Sequence, residues 1–287
     1  MKLPSFITLL IALSLPSLAL AESSLRSWTN AEGKTITAEL LELNDGVATL
    51  RLESGRRYEV SLATLSEADN EYAAEWTAAK EAEARAGEMG LTLGSIGDVI
   101  VETAFDEDTP ATRKGDVLGW TAGIGEWRVE DGALIGDEVA EDSHASSLTY
   151  RFEATHLIIQ AQVQLGSAEQ IAFACRDNVS PGLHLGRLYI TPDKLWIQHM
   201  TGISSTTTAE KLITLDVELD PEAWYDVTIE IVGDTYRATV GEEELEASHP
   251  RFADGKGIVA LTNNGQGAKF RQVSLWHAEP KSGAKED

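Results

Sequence analysis

From Asp98 onward, apolar and polar residues alternate in short runs broken by Gly, Pro, Asn or Asp, and no later segment keeps a helical period. In "WYDVTIEIVGDTYRATVG", Tyr225, Val227, Ile229 and Ile231 share one face, while Asp226, Thr228 and Glu230 take the other, predicted to be wet. Gly233-Asp234 marks the turn. In "GEWRVEDGALIG", two short strands meet at Asp131-Gly132, with Trp127, Val129, Leu134 and Ile135 available to seal one edge of a core. Many short strands at this spacing predict an antiparallel sandwich.

The N-terminal part reads differently. Residues 26–65 alternate β-type runs with turns at Glu32-Gly33, Asp45-Gly46 and Ser54-Gly55, a small meander in which Ala48, Leu50 and Leu52 oppose Val47, Thr49 and Arg51. Ser66, with Asp69 three residues on, begins a short helix that carries Tyr72, Trp76 and Ala79 on one stripe. The following "TAAKEAEARAGEM" suits a solvated helical spacer. Ahead of all this, Lys2 precedes an apolar run closed by Ala19-Leu20-Ala21, the pattern of a signal peptide. The expected organisation is a leader over 1–21, a module over 22–76, a linker over 77–97, a sandwich over 98–278 and a disordered tail over 279–287.

Charge narrows the partners. At -24, the chain would repel phosphate backbones and anionic headgroups, so neither nucleic acid nor membrane insertion after leader removal is expected. The leader places the protein outside the cytoplasm, in the periplasm or beyond it. Cys175 is the single cysteine, which forbids an intrachain disulfide, and its alternation with Ile171 and Phe173 reads as an ordinary buried thiol.

The order Arg-x-Trp-Thr, Gly-Lys, Asp-Gly, a second Gly with basic residues, then Leu-Ser-x-x-Asp-x-x-Tyr over residues 26–76 resembles the SLA homology module. That resemblance implies a small SH3-like barrel but no particular ligand; the module reads as a structural or docking appendage, for which an envelope protein is the candidate partner. "GWTAGIGEWRVEDGALIG", "DSHAS", "HLGRLYITPDKLWIQ" and "GKGIVALTNNGQGAKFRQVSLW" make residues 98–278 similar to the concanavalin A-like (laminin G-like) jelly roll, in the secreted bacterial branch of keto-disaccharide hydrolase or family-sixteen-like glycoside hydrolase type. The implied fold class is all-β, and the implied ligand is carbohydrate.

Retaining glucanases of this fold need Glu-x-Asp-x-x-Glu on one strand, so that two carboxyls stand about 5–5.5 Å apart. No such stretch exists here, and "GEEELE" (241–246) falls at a hairpin tip. Cleavage of a keto-glycoside would need a base and a cation for the enolate oxygen, for which Asp142, His144, Arg176, His184 and Arg187 are the candidates. For binding, Gln160, Gln162 and Gln164 line one face of "THLIIQAQVQLG", and Trp196 and Gln198 pair an aromatic with an amide. The alternative is that these are merely the outward face of a sheet, with Trp196 belonging to the core instead. Calcium would suit the acidic loops 105–110 and 136–142, but neither has EF-hand spacing, so no cofactor is expected. The leading expectation is an exported glycan-binding protein, with keto-glycoside hydrolysis and an envelope adaptor as the alternatives.

Overall fold

The computed structural model describes residues 25–177, 184–201 and 208–281; the expected leader and the end of the expected tail lie outside them. The chain divides into two units, Met1–Ala79 and Lys80–Asp287. Among the described residues no helix is long and apolar enough to cross a membrane.

In the first unit, β1 (Arg26–Thr29), β2 (Thr35–Asn44), β3 (Val47–Leu52) and β4 (Arg57–Ser61) form an antiparallel sheet in sequence order. Ala48 and Leu50 are buried with Trp28, Ala38 and Leu40, as the alternation predicts. Helix α1 (Glu67–Glu88) is a single helix that runs through both the expected module and the expected linker. Ser66 caps it, its Oγ accepting from the Asp69 backbone N–H at 3.3 Å. The stripe that faces the sheet is Asp69, Tyr72, Ala73 and Trp76; Ala79, expected on it, is exposed. The Asp69 carboxylate accepts from Arg26 at 2.8 Å and from the Thr29 N–H at 2.7 Å. Arg26 lies 3.9 Å over the Tyr72 ring. The spaced Arg, Trp-Thr, Ser, Asp and Tyr of the sequence are thus one closure between the first strand and the helix.

The second unit contains β5 (Gly94–Thr103), β6 (Thr109–Thr112), β7 (Gly115–Val117), β8 (Trp120–Ile124), β9 (Glu126–Glu130), β10 (Ala133–Asp137), β11 (Ser146–Ala154), β12 (Leu157–Gln164) and β13 (Ala168–Asp177). After them come β14 (His184–Ile190), β15 (Lys194–Thr201), β16 (Thr208–Asp216), β17 (Tyr225–Val232), β18 (Thr235–Val240), β19 (Glu243–Ser248), β20 (Lys256–Gly265) and β21 (Ala268–Pro280). One sheet runs β19-β18-β17-β12-β21-β10-β9-β6, with β5 also on β21; the other runs β16-β15-β14-β13-β20-β11-β8-β7. We call them the β12 sheet and the β13 sheet. Every pairing is antiparallel, and the inward residues of both sheets, such as Ile159, Val163 and Phe270 against Phe173, Leu188 and Leu261, share one core. This is the all-β sandwich that the pattern predicts.

At the tryptophan hairpin, Asp131 and Gly132 both take positive φ (53° and 71°), as a tight two-residue turn demands. Trp127 is wholly buried, and its Cα partner across the ladder is Gly136. A Cβ on Gly136 would come within 2.7 Å of the indole, so the large residue requires the absent one. Ile135 alternates away from the core that Trp127, Val129 and Leu134 enter.

Three expectations about exposure are corrected. Glu230, assigned to a wet face, is wholly buried, because residues 89–94 lie across it. The end of the expected solvated spacer is buried too: Ala86, Met89 and Leu91 pack on Ile158, Val232 and Trp276. The expected tail begins inside a strand, since Glu279 and Pro280 pair with Ser95 and Gly94. In the first two cases an acidic or apolar residue on an outward sheet face meets a segment distant in sequence, and in the third the pairing strand is itself distant, which local periodicity does not register.

Candidate functional site

The two halves of the expected glycan face do not meet. Gln160, Gln162 and Gln164 point outward from β12, whereas Trp196 and Gln198 point outward from β15, on the opposite side of the sandwich. Alternation assigned the correct face on each strand but carries no information on which sheet a strand joins. The glutamine row is also occupied. Gln162 donates to Asp226 Oδ1 at 2.7 Å and accepts from Arg271 Nε at 2.7 Å, and Gln164 donates to the Glu222 carbonyl. Arg271 in turn sits 4.0 Å over the Trp224 ring. Gln160 is half-buried between Thr228 and Ser274.

The outward face of the β13 sheet gathers more. Phe173 and Cys175 enter the core, so Ala172, Ala174 and Arg176 face out from β13. The ladder sets Tyr189 opposite Ala172, Arg187 opposite Ala174 and His184 opposite Arg176; the next strand sets Trp196 beside Tyr189 and Gln198 beside Arg187. Methyl groups thus floor the middle of the face, and long side chains rise around them. Tyr189 and Trp196 stack with centroids 4.6 Å apart and planes 12° from parallel. Lys211 Nζ lies 4.2 Å above the indole, and Trp196 Nε1 points to Gln198 Oε1 at 3.4 Å.

Arg187 donates to the Tyr189 hydroxyl at 3.0 Å and reaches the His184 ring at 3.0–3.1 Å. That contact needs an imidazole lone pair, hence a neutral ring. Burial, then Arg187, Arg176 and His144, push the His184 pKa down to about 3. Burial first, then Arg187 and Arg151, lower Arg176 as well. The Nε atoms of Arg176 and Arg187 are buried with no hydrogen-bond partner among the described residues.

Of the five candidates for catalysis, then, Arg176, His184 and Arg187 converge. His144 is exposed, with Nδ1 2.7 Å from the Ala145 carbonyl, and is near enough for its charge to act on His184. Asp142 is engaged elsewhere: it accepts from the Gly125 N–H at 2.8 Å and from Arg113 at 3.1 Å, and the first of these bonds holds its pKa low. Tyr189 and Lys211 escaped the sequence reading, although Tyr189 follows Arg187 at the two-residue spacing that puts both on one face.

The acidic loops spend their carboxylates on the protein. Asp137 accepts from Arg128 and the Gly267 N–H, and Glu138 from the Gly265 N–H. Among the described residues no group of three His, Cys, Asp or Glu could hold a metal. The "GEEELE" segment forms the β18–β19 hairpin and the start of its edge strand, where Glu244 pairs with Arg237.

No family model matches the chain, and no curated protein matches it by sequence. Among solved structures it is similar to a carbohydrate binding module, CBM66, from Bacillus subtilis at 13% identity, covering 55% of this chain and 95% of that one with a TM-score of 0.46. It is similar to a protein of unknown function with a galectin-like fold from Bacillus subtilis at 10% identity, covering 66% and 100% with a TM-score of 0.48. It is also similar to the laminarinase from Rhodothermus marinus at 12% identity, covering 63% and 97% with a TM-score of 0.45.

Proposed function

We propose that the sandwich binds a saccharide on the outward face of the β13 sheet, outside the cytoplasm. The observation that carries this reading is the stacked Tyr189–Trp196 pair beside Arg187 and Gln198, two rings each 9% exposed in the free chain and set next to fixed hydrogen-bonding groups. A sugar ring offers the complementary surfaces: C–H groups on one side and hydroxyls at its rim. Lys211 covers the indole from an exposed, four-carbon stem, so it can swing aside when a ring arrives. The leader pattern supports export, and the SLA-like motif supports a docking role for an SH3-like N-terminal module toward an envelope protein.

Binding is favoured over keto-glycoside cleavage by the state of the one imidazole within the cluster. A base whose conjugate acid has a pKa of about 3 takes a proton poorly at neutral pH, and the bonds of the cluster run among Arg187, Tyr189 and His184 with no carboxylate in them. The test is calorimetric titration of the purified protein with a panel of oligosaccharides, on wild type and Trp196→Ala. Binding that Trp196→Ala weakens tenfold or more supports the reading; full affinity in the variant removes this face from it.

A further inference from the structure

We infer that the saccharide is acidic, and that Arg176 and Arg187 together hold its carboxylate or sulfate group. This rests on the proposed saccharide site and names the class of its ligand.

The argument begins with where the arginines of this chain find their partners. Asp and Glu outnumber Lys and Arg by 47 to 23, so a carboxylate is rarely far away. Arg26, Arg51, Arg85, Arg113, Arg128, Arg237 and Arg251 each have one within 3.3 Å. Among the described residues Arg56 and Arg271 lie on aromatic rings instead, Arg57 has no ion pair, and three more arginines without one share the outward face of the β13 sheet. Arg176 and Arg187 come from adjacent strands, Arg151 is close enough to Arg176 to act on its charge, and none of the three has a carboxylate partner among the described residues. Arg176 and Arg187 are thus neighbouring, half-buried cations that no carboxylate of the described residues contacts.

Holding like charges together in a half-buried place is unfavourable, and each guanidinium also leaves a buried Nε–H unsatisfied. One anion between them relieves both costs: it screens the repulsion and supplies oxygens to the planar forks, whose spacing suits carboxylate and sulfate. A neutral hydroxyl could accept one hydrogen bond but would leave the charges as they are. The neutral His184 fits the same account, because a third fixed cation would be out of place beside the pair.

The ligand chemistry has two sources, a uronic acid or a sulfate ester, and the experiment separates them. Oligosaccharides of matched length are titrated into the full mature chain: a neutral glucan, an oligogalacturonate and a sulfated galactan. The expected result is that one or both acidic oligomers bind at least tenfold tighter than the neutral one, and that Arg176→Gln and Arg187→Gln each reduce this ratio toward unity. Arg187→Lys, which keeps the charge and loses the fork, is expected to retain part of the ratio. Gln162→Ala, on the other sheet, serves as the unchanged control, and thermal melts accompany every variant. Equal affinity for neutral and acidic oligomers overturns the inference and leaves the saccharide site standing, as does an acidic preference that survives both arginine changes. Should the variants not fold, the wild-type ratio alone decides. Failure of every oligomer to bind overturns the saccharide reading along with it.

Discussion

Arg237 and Glu230 meet 2.8 Å apart on the outward face of the β12 sheet, with side chains 6% and 0% exposed. The same carboxylate accepts from the backbone N–H groups of Thr92, Leu93 and Gly94 at 2.8–3.2 Å, and Arg237 donates to the Gly90 carbonyl. One ion pair therefore fastens the whole stretch that follows α1.

Removing the acid should expose how much depends on that fastening. Glu230→Ala leaves three backbone N–H groups without their acceptor and takes one of two carboxylates from Arg237, which keeps Glu244; removing one partner of a buried pair costs about 3–5 kcal/mol. We expect a clearly lower melting temperature and new proteolytic cleavage between Met89 and Gly94, with Glu230→Gln milder on both. A Glu230→Ala melt within about 1 °C of wild type would show that the contact is not energetically important.

The glutamine row should be silent in binding. Gln162→Ala breaks two partly exposed hydrogen bonds, worth about 1 kcal/mol each at most, and touches nothing on the β13 sheet. Stability should fall slightly while saccharide affinity stays unchanged. A several-fold loss of affinity would return the β12 face to consideration.

Acid should weaken the fold before any carboxylate protonates. His184 is held neutral by burial and neighbouring arginines, so in the folded state it takes its proton near pH 3, against 6.5 when unfolded. Between those values the unfolded chain binds more protons, so the stability contributed is complete above pH 6.5 and drains away as pH falls. Burial lowers His156 and His249 in the same direction. Thermal melts from pH 7 to 5, above the ordinary carboxylate range, should therefore decline, and less steeply in His184→Gln. A flat profile, or equal slopes in both proteins, would contradict the assignment.

A single methyl group should unsettle the tryptophan hairpin. In Gly136→Ala the new Cβ collides with the Trp127 ring and with Asn263, whose amide donates to the Gly136 carbonyl at 3.1 Å. Overpacking of this kind costs about 1–3 kcal/mol, with more possible when neighbours are themselves locked. Trp127→Leu in the same chain should recover part of the loss; failure to recover any would point to the backbone instead.

How much of this was legible beforehand follows from what each signal measures. Alternation is local, so it correctly oriented Ile159, Val227 and Leu50, and the Asp-Gly pair at 131–132 announced its turn through the backbone it permits. Convergence of Arg176 with His184 was within reach, because the antiparallel pairing of two strands adjacent in sequence sets the two side by side. The separation of Gln162 from Trp196 was not: β12 and β15 join different sheets, and that choice lies in long-range pairing. Glu230 was misjudged for a related reason, since the groups that satisfy it come from more than 130 positions away.

Cys175 gives the molecule a property no other residue could. Its thiol is 1% exposed between the two sheets, and burial pushes its pKa up to about 12, so the native state offers neither access nor thiolate. A maleimide or disulfide reagent can mark it only in molecules whose sandwich has opened. Because the chain has a single cysteine, every labelling event has one address, and its rate counts openings of the core directly. The protein thus carries its own clock for conformational opening, readable at trace concentration and in unpurified mixtures.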